Sequence, residues 1–540
     1  LSNRGFMINN LNGAASADLD KLVLDKLSAD LLGGKLSIGG SLKDFKKPVV
    51  DAKASITGAD LSAIRSFLQT NFQEMSKEID FSGNADLNIQ LTGPVSGPVI
   101  KGEAELRASR FNHPAVLRPI ENIHGPLKFD NDGLNTAGLK ADWGKSKATV
   151  TGAMKNWARF ITDFKFVVDP LDVTDVAGFF LKDTGYKVEG SGTGNGSITG
   201  AVAEIKVDGV ASVPVGLFAA PVSEKGDLFK FPFKALQARA VYHAGVLTVS
   251  SATMELFSGK VNASGKVFVD KEPITFEFDT KINQLMTEQF LAENTKYKDI
   301  LRGGLDGTFA AKGNTTGLVS LNGNASLAMQ KGHYNSPPFV RQIADQLNAP
   351  QLASGPIDNA AGEYLISGGR INAKNMMGKS KDGKVTFLGS VGLDATLDGE
   401  AQIQLTRAAC QQSNVLKQLV GNSEYLDIPV TLKGSFMSPS VGLPLDRMLK
   451  DVAEKRAKET VQKEAEKALG KLFGIKGGGS NPAPVASAAV ETPAGSPAPE
   501  AASQTVQPVP QEPQSPQKKI EKKIKDVGKE LKNLKNIFKF

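Results

Sequence analysis

The stretch GKVNASGKVFVDKEPITFEFDTKINQLMTEQFL, residues 259–291, decides the fold. Two glycines six apart, Gly259 and Gly265, open it; Val267 and Val269 follow, and Asp270–Lys271–Glu272–Pro273 makes a turn. Beyond the turn, Ile274, Phe276, Phe278 and Ile282 fall on one side and Glu277, Asp279 and Lys281 on the other. A period of two after a turn marks the second arm of an antiparallel hairpin with one apolar face. Asn283 is then placed to cap a short helix carrying Leu285, Met286, Phe290 and Leu291. The unit reads strand, turn, strand, helix.

It recurs. Gly34–Gly40 leads to Val50, Ala52, Ala54 and Ile56, then Asp60 before Leu61, Ile64, Phe67 and Leu68. Gly144–Gly152 leads to Phe164, Phe166 and Val168, then Asp172 before Val173 and Val176. Gly383–Gly389 leads to Val391, Leu393, Ala395 and Leu397, then Ala401, Ile403 and Leu405, then a helix through Val415 and Leu416. The second glycines of the four units lie 112, 113 and 124 residues apart. A second glycine frame keeps the same time: Gly83–Gly93–Gly102, Gly190–Gly200–Gly209 and Gly303–Gly313–Gly323. Two interleaved frames in register make the period of roughly 112 residues a real repeat. The fold class is therefore mainly β: an elongated, repeating antiparallel sheet or groove, short helices in each repeat and a helical C-terminal region.

Five segments follow. Residues 1–30 hold a partial repeat with Leu22, Leu24 and Leu27; 31–443 hold the four full units. HPAVLRPIENIHG (113–125) reads as a connector, and NSPPFVRQIADQLNAP (335–350) as an amphipathic helix plugging one end of a sheet, with Phe339, Ile343 and Leu347 on one stripe. A charged helix occupies 444–476, apolar only at its ends. Residues 477–516 carry nine prolines and read as a disordered linker. The segment 517–540 reads as a basic amphipathic helix with Ile520, Ile524, Val527, Leu531, Leu534 and Phe538 on one stripe. Its nine lysines, among them Lys522, Lys523, Lys532 and Lys535, outnumber three acids and supply +6 of the chain's +7. The positive charge belongs to the tail, and a nucleic-acid partner is not expected. Lying shallowly on an anionic bilayer suits such a helix.

Chemistry is hard to find. His113, His124, His243 and His333 stand singly, without metal-ligand spacing. Cys410, the one cysteine, has no nearby histidine and reads as a buried thiol. There is no Walker-type loop, no GxSxG and no HExxH. GSGTGNG (190–196) and the pair Asp169 and Asp172 around Pro170 read as turns. No active site, cofactor or metal is expected.

The sheet itself is the informative feature. An apolar strand face must be covered by a second sheet, by helices or by a ligand, and these helices are too few to cover so long a sheet. It either folds on itself into a sandwich or closed tube, or curls into a trough whose apolar interior takes acyl chains. The lining of such a groove is expected at Ile274, Phe276, Phe278 and Ile282, at Phe164 and Phe166, at Leu87, Ile89 and Leu91, and at Ile403 and Leu405.

PIENIHGPLKFDNDGL (119–134), KATVTGAM (147–154), PPFVRQIADQL (337–347) and IPVTLKGSFMSPSVGLPLDRMLKDVAEKRAKE (428–459) together resemble the AsmA family of bacterial envelope proteins, close to its C-terminal region and related to the TamB and YhdP type. The likeness covers roughly residues 20–475. It implies a periplasmic protein, anchored in the inner membrane by an N-terminal helix absent from this sequence. The implied task is moving phospholipid toward the outer membrane, or outer-membrane assembly with other envelope proteins as partners. The opening LSNRGFMINNLNG, with no initiating Met, is expected to continue a longer protein. The rival functional reading is a scaffold for outer-membrane proteins that pairs client strands along its edges.

Overall fold

The computed structural model describes residues 2–3, 6–71, 80–112, 118–157, 159–181, 184–201, 204–222, 227–436 and 438–472. Leu1–Ala465 form one compact unit and Glu466–Phe540 a second, of which only the first residues are described. The first unit is one open antiparallel sheet of 25 strands. It runs from Asn9–Ala17 to Ser438–Gly442 as a continuous meander, and no ladder joins those two edges among the described residues. At about 4.8 Å per strand the sheet is roughly 110 Å across.

The hairpin read from 259–291 is present, with strands Gly259–Phe268 and Thr275–Met286 paired Gly265↔Phe278 and Val267↔Phe276. The helices are α1 (Leu61–Asn71), α2 (Val173–Leu181), α3 (Thr287–Asn294), α4 (Pro338–Gln346), α5 (Arg407–Cys410), α6 (Asn414–Val420) and α7 (Leu445–Leu472). In a meander, connections alternate between the two ends of the strands. Each of α1 to α6 follows a strand running the same way, so all six stand on one rim, and the other rim carries turns and short loops.

Four local readings change. Asn283 does not cap a helix: it pairs with Lys260 in the ladder, and α3 starts at Thr287 without a side-chain cap. Asp169 and Asp172 lie inside strand Ile161–Asp172, where Pro170 coincides with a register shift between Val168 and Leu171, a bulge instead of a turn. The glycines of 190–196 run through strand Lys187–Ala201. Within 113–125, residues from Ile120 onward already belong to strand Ile120–Asp130. The segments 190–196 and 120–125 are held extended by ladders on both sides, Asn283 is laddered to Lys260 on one side, and Asp169 sits at the bulge between the paired Val168 and Leu171. The boundary at 30 falls within strand Lys21–Leu31.

The glycine frame has a steric reason. Gly152 holds φ +130°, and a Cβ there would stand 2.8 Å from the Cα of Phe164 on the next strand. A strand bends at such a point, and bulges recur along the sheet at places such as Ile56/Ala59, Val249/Ala252 and Ala373/Met376. Glycine kinks and bulges are the devices that curl a sheet.

The strongest packing lies at the C-terminal end. Leu397, Leu405, Leu426, Ile428, Val430 and Leu432 from adjacent strands bury against Ile343 and Leu347 of the α4 segment and Cys410, Leu416, Leu419 and Val420 of α5 and α6. The helix read from 335–350 is the plug expected of it. Ser413 caps α6 by accepting from Leu416 N (3.3 Å) and donates to Leu347 O (2.8 Å), tying two helical segments together. Cys410 is fully buried, and burial raises its thiol pKa. Leu445, Met448 and Val452 of α7 pack on the same core, while most of its later residues are exposed.

A second tie fixes α2. The buried Asp175 carboxylate accepts from Arg118 Nη1 (2.6 Å), Lys145 N (2.9 Å), Ser146 N (3.0 Å) and Ser146 Oγ (2.9 Å). Asp175→Ala leaves the buried Ser146 donors unmet and is expected to cost about 1–3 kcal/mol. Hydrogen exchange should accelerate at 143–146 and in α2 and leave the C-terminal core unchanged.

Candidate apolar-face site

Residues directly opposed in an antiparallel ladder project from the same face. Phe166, Gly196, Gly209, Ala240, Val249, Gly265 and Phe278 form one unbroken row of opposed pairs across seven strands. It continues through Ala311, Gly323, Ile366, Ile371, Val391 and Leu397. Toward the other edge, Met154, Leu134, Phe129, Gly102, Ile89, Ala54, Ile38 and Leu27 make a second row on the same face, Met154 standing two residues from Gly152, the partner of Phe164. The structure therefore brings the strand positions Phe276, Phe278, Ile282, Phe164, Phe166, Leu87, Ile89, Leu91, Ile403 and Leu405 onto one face. Ile274 precedes its strand, half-buried, and its carbonyl accepts from Thr315 N (3.0 Å). Glu277, Asp279 and Lys281 are exposed on the opposite face. Apart from Leu405, which is buried, these apolar residues are half-buried, in contrast to the C-terminal core.

Aromatic rings lie across glycines on this face. A Cβ on Gly216 would stand 2.3 Å from the ring of Phe233, and one on Gly102 would fall 2.1 Å from Phe129. The rings thus cover bare backbone, so the face stays broad and apolar with little polar backbone showing.

The rims meet. In a flat sheet of eleven-residue strands they would lie about 36 Å apart. Yet Val319 N, on the turn rim, donates to Val222 O on the helix rim (2.9 Å). Farther along, Phe436 of the turn rim packs against Tyr297 (centroids 4.9 Å) and Phe339 of α4 (5.8 Å), both on the helix rim. The sheet is rolled in this stretch. Because α4 reaches across the apolar face to the opposite rim, the apolar face is the inner one there.

Phe218, Phe231, Phe257 and Phe290 form a chain of rings along the helix rim, at 5.6–6.4 Å between centroids. The sequence reading passed over it, although LFKFPFKAL (228–236) carries the same period-two signal in Phe229, Phe231 and Phe233. Tyr186 stacks on Phe218 (5.9 Å) with its hydroxyl buried and unpartnered.

A groove of about 1360 Å³ has Leu327, Met376, Phe387 and Val430 among its lining, with Glu363, Lys384 and Glu400 also at its walls. Phe278 contributes to a second of about 770 Å³ and Ile89 to a third of about 690 Å³. Among the described residues, no cluster of His, Cys, Asp and Glu could hold a metal ion, and no helix is long and apolar enough to cross a membrane. The tail positions Ile520, Ile524, Val527, Leu531, Leu534, Phe538, Lys522, Lys523, Lys532 and Lys535, like the linker 477–516, lie outside the described residues. No family model matches the chain, and neither the curated proteins nor the solved structures contain a significant match.

Burial pushes the Tyr186 phenol up to about 12. Its folded pKa therefore lies above the unfolded value of about 10, so stability falls as pH rises from about 10 to about 12. Tyr186→Phe should lose less melting temperature than the parent protein across that window and behave like it below pH 9.

Proposed function

We propose that this chain is a non-enzymatic carrier of phospholipid, its acyl chains lying on the apolar face while headgroups remain in water. The observation that carries this reading is the unbroken apolar face, half-buried along most of its length and covered by packed helices at one end. Each buried methylene contributes about 0.8 kcal/mol, so even eight of them against this face offer about 6 kcal/mol. Such binding needs no reacting group. The AsmA resemblance of the sequence supports the same reading, and with it we propose a location in the bacterial envelope between inner and outer membranes. The basic segment 517–540 suits contact with an anionic membrane surface, where each lysine adds about 1 kcal/mol at low salt.

A scaffold role rests on a different feature. Among the described residues, strand Asn9–Ala17 pairs on one side only and is exposed along its length, and it holds no Lys, Glu, Asp or Pro, the residues that usually guard an edge. It could accept a client strand. The breadth of the apolar face favours lipid, since edge pairing makes no use of it.

Vesicles carrying a fluorescent phospholipid test the reading directly. The purified protein should extract the probe, and Phe278→Asp and Phe166→Asp should each lower extraction at least five-fold, because a charge on that face is costly to desolvate. Glu277→Ala, on the opposite face, should extract normally. Folded Phe278→Asp and Phe166→Asp proteins that extract as well as the parent would refute the lipid reading.

A further inference from the structure

Exposed apolar side chains are spread unevenly over the first half of the sheet. From Asn9 to Ala201, Leu11 and Val167 apart, every large apolar side chain that is exposed among the described residues lies on the turn rim, and none on the helix rim. Leu19 is 94 % exposed, and Phe45, Val95, Val99, Trp157 and Phe160 are 41–49 % exposed, all at or beside loop tips. The loops that carry them are tied one to the next: Asp44 N donates to Asp20 O (2.8 Å), Val95 N to Pro48 O (2.9 Å), Asn131 Nδ2 to Pro98 O (2.9 Å) and Trp157 Nε1 to Asp130 O (2.9 Å). Successive loops on one rim of a meander are two strands apart, about 10 Å, so the tips make one ledge. Farther along the same rim the pattern lapses. The turns at Ala244–Gly245 and Gly368–Gly369 carry nothing larger than a methyl group, 270–272 is charged, and Val319 and Phe436 are engaged with the opposite rim. Charge is uneven along the ledge. Around Phe45 lie the exposed Lys43, Lys46 and Lys47 against one acid, Asp44, whose carboxylate accepts from Lys46 N (3.1 Å) and Lys47 N (3.2 Å). The neighbouring loop 94–99, PVSGPV, is uncharged. Asp18 and Asp20 flank Leu19, and Asp130 and Asp132 offset Lys155 and Arg159 near Trp157, so the two ends of the ledge are not basic. Just inward of the two central loops the apolar face begins, with Leu42 opposed to Val50 and Leu91 to Ile100.

We propose that this ledge is a docking surface for a lipid bilayer, centred on loops 43–49 and 94–99. Phe45, Val95 and Val99 enter the interfacial layer, and Lys43, Lys46 and Lys47 meet anionic headgroups. Apolar tips beside lysines suit the boundary between hydrocarbon and water, where the tip is buried and the amine stays wet. Apolar residues scattered singly over a surface mean little, but a line of them confined to one rim marks a contact. Small tips set about 10 Å apart offer no continuous patch for a packed protein interface, whereas a fluid bilayer closes around each tip separately. The use of the contact rests on the lipid reading above: lipid passes from the docked bilayer over Leu42 and Val50 onto the apolar face. The contact itself rests on the rim residues alone.

The full chain with Ser96→Cys, labelled with an environment-sensitive fluorophore, tests the contact, since Cys410, the one native cysteine, is fully buried. On phosphatidylcholine vesicles containing phosphatidylglycerol its emission should shift to the blue, and should fall at least two-fold when the acyl chains carry a spin-label quencher. The same label at Lys187→Cys, exposed on the helix rim, should do neither. Phe45→Ser/Val95→Ser should lower extraction of a fluorescent phospholipid from vesicles at least five-fold and leave binding of a short-chain phospholipid, supplied as monomer, unchanged. Phe278→Asp should lower both. A label at 96 that stays in water while the protein sediments with the vesicles would overturn the ledge and leave membrane contact to another segment, such as 517–540. A blue shift that appears without vesicles as protein concentration rises would overturn it in favour of self-association. Normal extraction by Phe45→Ser/Val95→Ser would overturn it as well, with the lipid reading intact. Failure of the parent protein to bind the monomer counts against the lipid reading alone, and quenching at position 96 then still decides the ledge.

Discussion

Every strand has two faces, and here one of them is apolar from the first ladder to the last. A sheet so built cannot lie flat in water, because roughly 110 Å of apolar surface would stand exposed. Six short helices on one rim cannot cover it. Rolling brings the apolar face inward without a second layer, and glycine kinks and bulges permit the roll at the points where strands bend. The ladders supply the continuity, and the apolar face sets the direction of curl.

The consequence is a gradient of packing along one sheet. At the C-terminal end, α4, α5 and α6 fill the roll and bury Ile428, Val430 and Leu416 almost completely. Elsewhere the same face is half-buried, its side chains touching neighbours on the sheet while part of each remains accessible. A protein selected for stability alone would have extended the plug. The half-buried stretch is the part with surface left to offer a ligand, and its rows of valine, isoleucine, leucine, phenylalanine and glycine fit methylene chains better than sugars or nucleotides.

The polar face contributes little to holding this together. Its ion pairs, such as Lys266–Glu277 at 3.9 Å and Lys128–Glu103 at 3.0 Å, have both partners more than half exposed, where each is worth about 0–1 kcal/mol. Specific ties are few and placed at the rims: Asp175 binding the 145–146 turn, Ser413 binding Leu347 and Phe436 joining two rims. A sheet whose strands depend mainly on their neighbours can then yield locally at one rim contact without losing the rest.

The two-residue alternation around Phe276 and Phe278, the glycine frames and the helices after Asp60 and Asp172 were legible in the sequence, because each depends on residues a few positions apart. Face assignment was legible for the same reason: once strands pair in sequence order, parity alone puts Ile89, Phe166, Phe278 and Ile403 on one side. Asn283 and Asp169 were misread because each lies inside a longer strand, Asn283 laddered to Lys260 and Asp169 at a bulge between the paired Val168 and Leu171, and the strand overrides a local cap or turn preference. The rim contacts had no signature at all. Val222 meets Val319, and Phe436 meets Tyr297, across a hundred or so residues of sheet, and what unites each pair is the summed curvature of the intervening strands. Curvature accumulates from small bends at many bulges and glycines, so the tertiary structure alone decides where a face read correctly from the sequence is open and where it is roofed.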